Sequence, residues 1–184
     1  MKECNSMSEI VKESVFINAQ LNKHFIPQKS YELLSDKIPT IELTIIGLNT
    51  QDIEHIVGTA TIFCVPWEIM RKPQTIKHYD IDLEDIANTV RNEKSEEKYC
   101  FVLHRITIVD DFRYEGYGSM IMEALTEVIT DFGLSQNPTI TLLASAFEKA
   151  ETPLYDAYTQ KLHKFYEKFN FSHLQKNVFI RKGK

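Results

Sequence analysis

The sequence predicts an α/β chain of the α+β kind, a sheet with helices packed on it, and three observations carry that expectation. Thr40 to Leu48 and Glu54 to Val65 are β-branched, apolar runs joined by the turn Asn49-Thr50-Gln51-Asp52, and together they read as an antiparallel hairpin. Tyr99 to Val109 (YCFVLHRITIV) is almost wholly β-branched or aromatic, which fits a central strand buried on both faces. Two amphipathic helices follow it. Ile121, Leu125, Val128 and Phe132 make one apolar stripe, and Leu154, Tyr158, Leu162, Phe165 and Phe169 make the other.

The remaining elements fall between these. Residues 8 to 25 have a loosely helical spacing of apolar residues, while Val15-Phe16-Ile17 within them reads equally as a short strand. A short helix is predicted around Tyr31 to Ser35, ended by Pro39, and Gly58 marks a bulge in the second hairpin strand. Residues 66 to 98 break the strand pattern. Leu83, Ile86, Ala87 and Val90 predict a short helix there with one buried face, capped by Asp80 or Asp82. Glu93 to Lys98 is then a charged loop. Gly116 to Phe132 is the first amphipathic helix, with Gly133 where a C-cap glycine belongs. Thr139 to Ala146 is a further buried strand, and Phe171 to Leu174 and Val178 to Arg181 supply two short ones.

Composition narrows the function classes. A chain of 184 residues suits one domain, residues 1–184, with a sizeable core. A net charge of -5 argues against a general nucleic-acid binder, whose footprint is a basic surface, but leaves room for a phosphate held locally at a helix N-terminus. Cys4, Cys64 and Cys100 are isolated and odd in number, which supports neither a disulfide framework nor a metal site. The start, MKECNSMSEIVKES, lacks the apolar core of a signal peptide, and no apolar run approaches the ~20 residues that span a bilayer. No membrane partner is expected, and the expected location is the cytoplasm.

The stretch with most chemical content is Arg113-Tyr114-Glu115-Gly116-Tyr117-Gly118-Ser119, between the buried strand and the helix. The first amides of a helix lack intrahelical partners and carry the positive end of its dipole. Gly116 and Gly118 remove side chains that would hold a large anion away, Arg113 adds a charge and Ser119 a hydroxyl. A bare GxG also serves as a tight turn. A dinucleotide fold needs another glycine pattern and an acidic residue about 20 positions on, and a Walker loop needs Gly-Lys-Ser/Thr. Neither is present.

Arg-x-x-Gly-x-Gly after a strand resembles the acyl-CoA signature of the GNAT superfamily of N-acyltransferases, and Phe165-Tyr166-Glu167-Lys168-Phe169-Asn170-Phe171 resembles that family's second landmark, F-Y-E-K-x-G-F. The resemblance is specific over residues 99 to 174, weaker over the hairpin and negligible before residue 40. It implies the GNAT fold: a central mixed, mostly antiparallel sheet of six or seven strands flanked by helices, here with a helical insertion (66–98) before the central strand. It further implies acetyl-CoA as acyl donor without a metal, an amine-bearing small molecule or peptide as acceptor, and pairing through terminal strands into a homodimer. The backbone of Ile106, Thr107 and Ile108 would pair with the pantetheine arm, and the amides of Tyr114, Glu115, Gly116, Tyr117, Gly118 and Ser119, with Arg113, would take the pyrophosphate. Asn170 replaces the family's glycine, and asparagine is the next-best residue for a left-handed C-cap. Thr159 stands where many members carry an asparagine that contacts the cofactor.

The reaction implied is attack of an amine on a thioester. A lysine-like amine of pKa ~10.4 is neutral about once in 10³ at pH 7, whereas an α-amino group near ~8 is far less hindered, so the need for a base depends on the acceptor. Tyr166, just off the buried stripe, is assigned by resemblance to the departing sulfur. A phenol is a weaker acid than a thiol, so hydrogen bonding to the developing thiolate is the role expected of it. His104 is the candidate base, its ordinary pKa near ~6.5 suiting the task, against the alternative of a histidine bonded within the sheet. Arg105 would point to the opposite face of a regular strand. The insertion is the expected source of acceptor specificity, as a cap over the acceptor site. Asp80, Asp82, Glu84 and Asp85 read as attracting a cation or as a helix cap. Trp67 lines a pocket or anchors the insertion, Tyr155, Tyr158 and Phe147 serve the core or a pocket wall, and Lys161, Lys164 and Lys168 are solvated. The other classes weighed are a catalytically silent acyl-CoA-binding regulatory module and an acyltransferase of aminoacyl-tRNA, the latter opposed by the acidic balance.

Overall fold

The computed structural model describes residues 10–22, 38–76, 81–145, 152 and 154–183. The strands are β1 (Ile10–Asn22), β2 (Thr40–Asn49), β3 (Glu54–Pro66), β4 (Tyr99–Ile108), β5 (Ile140–Leu143), β6 (Ser172–Gln175) and β7 (Val178–Arg181). They form one seven-stranded sheet in the order β1-β2-β3-β4-β5-β7-β6, in which β4 and β5 are parallel and every other neighbouring pair is antiparallel. The helices are α1 (Trp67–Met70), α2 (Pro73–Ile76), α3 (Ile81–Val90), α4 (Tyr117–Asp131) and α5 (Tyr155–Glu167).

The ambiguity at the N-terminal end resolves to a strand, with Val15, Ile17, Ala19 and Leu21 packing on the core. Asn49 closes the hairpin turn, its side-chain oxygen accepting the amides of Gln51 (2.8 Å) and Ile53 (3.0 Å). The expected bulge sits beside Gly58: Ile45 pairs with Gly58 and Ile46 with Ile56, leaving Val57 as the extra residue. Asp80, Phe147 and the helix expected at Tyr31 to Ser35 lie outside the described residues.

Strand alternation sorts the core into two layers. On one face Ile41, Leu43, Ile62, Phe101, Leu103 and Phe179 pack with Ile121, Met122 and Leu125 of α4. On the other, Phe63, Val65, Cys100 and Val102 pack with Trp67, Met70, Leu83, Ile86 and Val90. Trp67 therefore anchors the insertion, which folds as α1 to α3 onto that second face. Burial without a charged partner pushes the Cys64 and Cys100 thiols up to about 12. Helix α4 ends as expected at Gly133 (φ 66°): the Gly133 amide meets the Thr130 carbonyl at 2.8 Å and the Leu134 amide that of Ile129 at 3.2 Å.

Three expectations need correction. β4 is buried on both faces only from Cys100 to Leu103, because α1 to α3 cover only that end; Arg105 and Thr107 are exposed. Leu154 is 54% exposed, since it precedes α5 rather than joining its buried stripe. Arg105 does not oppose His104. Thr61 pairs with Arg105 but Ile62 with Leu103, so His104 is the extra residue of a second bulge and the alternation slips by one. His104 stacks on Phe63 of the second face (centroids 4.8 Å apart), and Arg105 lies on that same face opposite Thr61.

Gly58 holds β3 against the end of β4. A Cβ there would stand 2.6 Å from Ile108 Cδ1 and 2.8 Å from the Thr107 carbonyl oxygen, and the carbonyl cannot rotate away. Gly58→Ala is expected to cost about 1–3 kcal/mol in urea unfolding, the range for overpacking.

Candidate active site

The second bulge opens the sheet. The parallel pairing of β4 with β5 consists of Phe101 with Ile140, Val102 with Thr141 and Leu103 with Leu142, and stops one residue before His104. β4 continues to Ile108 with its other edge on β3. The Val109 amide bonds to the Val57 carbonyl at 2.9 Å, so antiparallel alternation turns the peptide groups of Ile108 and Ile106 toward the side β5 has left. One of those groups is already engaged: Arg113 Nε donates to the Ile108 carbonyl at 3.3 Å.

The turn after β4 is a single 3-10 turn, Asp110–Phe112, followed by two left-handed residues, Tyr114 at φ 69° and Gly116 at φ 94°. Only glycine takes the second conformation without strain, and the Tyr114 side chain is 94% exposed, so packing does not explain the first. Ser119 and Met120 donate to the Gly116 carbonyl at 2.9 and 3.2 Å. The amides of Gly116, Tyr117 and Gly118 meet no backbone acceptor among the described residues. Successive free amides where a left-handed residue enters a helix form an anion-binding concavity. An added Cβ on Gly118 would touch only the Phe165 ring, at 3.6 Å, so internal packing does not require glycine there. Arg113 shares its charge with Asp110, 2.9 Å away.

Helix α5 brings Tyr155, Thr159, Leu162 and Tyr166 along one side at helical spacing. Tyr155 and Ser145, just past β5, are joined by a 2.9 Å hydroxyl hydrogen bond. Thr159 is buried, and among the described residues its hydroxyl has no partner. Tyr166 packs against Phe165, Phe171 and Phe179, with ring centroids at 5.2, 6.1 and 6.3 Å. Burial pushes its phenol up to about 12. No described residue hydrogen-bonds its hydroxyl. Asn170 takes the left-handed conformation (φ 62°), so that its amide meets the Glu167 carbonyl at 3.1 Å and the Phe171 amide meets that of Tyr166 at 3.3 Å. Asparagine thus replaces glycine without loss of the helix stop that fixes Tyr166.

The open edge, the glycine turn and the α5 stripe have the features an acyl-CoA would use: unpaired peptide groups for an amide-bearing arm, free amides for a diphosphate, and an orphan buried hydroxyl on Thr159. Tyr166 and His104 are not on one surface. Tyr166 belongs to the layer of Phe171 and Phe179, and His104 to that of Phe63. Sequence reading missed the bulge at His104, although two consecutive polar residues inside an otherwise apolar strand were its visible sign. It also missed α1, α2 and the Ser145–Tyr155 bond. Among the described residues no three His, Cys, Asp or Glu side chains gather as a metal would require, and no helix is long and apolar enough to cross a membrane.

No protein-family model matches the chain, and no curated protein matches it. Solved structures similar to it include a mutant AtaT toxin bound to the C-terminus of the antitoxin AtaR and acetyl-CoA, at 13% identity and a TM-score of 0.45, covering 78% of this chain and 68% of that one. The KacTA–DNA complex is similar at 11% identity and a TM-score of 0.45, covering 91% and 93%. Arabidopsis thaliana NAA60 in complex with acetyl-CoA is similar at 9% identity and a TM-score of 0.43, covering 78% and 76%. These are likenesses of chain path alone. A seven-stranded mixed sheet with one parallel pair, opened where that pair separates and flanked by helices, is the arrangement that the sequence resemblance implies, and this chain has it.

Proposed function

We propose that this chain transfers an acetyl group from acetyl-CoA to a primary amine of a small molecule or peptide by direct attack. The observation that carries the reading is the open edge of β4 leading directly into the free amides of Gly116 to Gly118. The pantetheine arm would complete the sheet at Ile106 to Ile108, and the diphosphate would sit on the glycine turn with Arg113 beside it. In the transfer the amine nitrogen bonds to the thioester carbonyl carbon, the carbon–sulfur bond breaks, the ammonium proton passes to His104 or to water, and the thiolate leaves beside Tyr166.

Burial sharpens the role of Tyr166. With its phenol at about 12 and a thiol near ~8.5, giving the proton away is uphill by roughly 5 kcal/mol. A neutral phenol that stays protonated donates a hydrogen bond to the developing thiolate instead, which is electrostatic stabilisation of the departing charge. The insertion α1 to α3 walls the face on which His104 lies and is read as the cap beside the acceptor. The acceptor-dependent release of thiol separates this enzyme from a silent acyl-CoA-binding module, which would bind the donor and release nothing.

Calorimetry with coenzyme A is expected to give uptake, and Gly118→Val to weaken it by about tenfold or more by filling the concavity, with the unfolding temperature little changed. Uptake unaffected by Gly118→Val would remove the cradle. Tyr166→Phe is expected to lower kcat at least about tenfold while coenzyme A affinity stays within about twofold. Because the Tyr166 phenol ionises only at about 12, the wild-type kcat should show no alkaline loss from tyrosinate formation below pH ~10. If His104 is the base, His104→Gln removes the acidic limb of the kcat/KM profile; a limb left in place assigns the proton to another group.

A further inference from the structure

The two faces of the open segment of β4 differ in cover. Ile106 and Ile108 turn to the layer packed by α4, whereas Arg105 and Thr107 are exposed on the other. The register sets two polar rows across that uncovered face: Gln20, Glu42, Thr61 and Arg105, then Asn18, Thr44, Thr59 and Thr107. α1 to α3 stop short of them, at Phe63 and His104. This surface offers an acceptor a polar approach to the open edge.

Arg105 stands at the near end of the first row, beside His104. Its place there is a product of the bulge; a regular strand would turn it into the α4 layer. Among the described residues its side chain has neither an ion pair nor a hydrogen bond. The acid in its own row, Glu42, instead accepts a 3.0 Å hydrogen bond from Thr61, one strand nearer. A guanidinium left unpaired at the mouth of a site offers a planar fork for an oxyanion, and carboxylate or phosphate both match it.

We infer that Arg105 selects the acceptor, and that the acceptor is a primary amine carrying a carboxylate or phosphate a few bonds from the nitrogen. This rests on the acyltransferase reading. Amine and thioester meet at the edge of β4, and the side chain of Arg105 extends from that strand, so a short acceptor spans both. The contact is solvent-facing, and its contribution falls as salt rises.

The test measures thiol release from acetyl-CoA with matched amines: glycine and β-alanine against their amides, and phosphoethanolamine against ethanolamine. The wild type is expected to favour the anionic members by about tenfold in kcat/KM, mainly through KM, with the preference shrinking in high salt. The carboxylate and phosphate arms identify which oxyanion is used. Arg105→Gln is expected to abolish the preference and Arg105→Glu to reverse it, with coenzyme A affinity by calorimetry unchanged in both. Equal use of neutral amines, or a preference that survives Arg105→Gln, overturns the inference and leaves the acyltransferase reading standing. Coenzyme A uptake with no release from any of these amines also overturns it. No uptake of coenzyme A at all removes the reading on which it rests.

Discussion

The structure turns on a single surplus residue. His104 is the extra residue between the pairs Thr61–Arg105 and Ile62–Leu103, and past it β4 and β5 no longer run together. A sheet interior ordinarily leaves no peptide group unpaired, because an unsatisfied buried donor or acceptor costs about 1–3 kcal/mol. Among the described residues the groups of Ile106 and the amide of Ile108 meet no partner on that side, and only the Ile108 carbonyl is capped, by Arg113. An edge of this kind is filled by water or by a ligand with alternating amides, which it meets with strand-like hydrogen bonds.

The same residue decides which side chains face the uncovered side of the sheet. By shifting the alternation one place, the bulge puts Arg105 with His104 on the uncovered face and sends Ile106 and Ile108 to the α4 core. Gly58 is part of the same device: only a residue without a Cβ lets β3 stay against Thr107 and Ile108. Two bulges in adjacent ladders, at Val57 and at His104, therefore bracket the segment of β4 that opens.

Much of this was legible in the amino-acid sequence, and the boundary has physical causes. The hairpin, the helix with its Gly133 stop, the second helix and the tail strands are written in local periodicity and cap chemistry, which act over a few residues. Asn170 is legible for the same reason: a left-handed stop needs glycine or asparagine. The burial of Leu83, Ile86, Ala87 and Val90 followed from spacing alone. The extent of burial along β4 did not, because it depends on where α1 to α3 end, a tertiary fact. The face of Arg105 was misread because a bulge conserves residue type while reversing direction. The choice between helix and strand at residues 10 to 22 was settled by pairing with β2, which periodicity does not encode. Of the candidate site, the glycine turn and Tyr166 were readable, while the orphan hydroxyl of Thr159 appears only once α5 is packed.

On the proposed reading the two layers also separate the two halves of the chemistry. Tyr166 arrives with α5 from the side of Phe171 and Phe179, held by the helix stop at Asn170, and burial raises the pKa of its phenol. His104 and Arg105 face the other way. A thioester lying along the open edge would then have its leaving sulfur met from one side of the sheet and its carbonyl carbon approached from the other. Attack and departure on opposite sides keep the incoming ammonium away from the hydrophobic layer around Tyr166, where a charge would be costly to bury. They also leave the acceptor face free to be polar without weakening the donor site. A sheet that stayed closed at Leu103 would offer no route through its plane, so on the proposed reading the division of labour follows from the bulge rather than from the identity of either catalytic candidate.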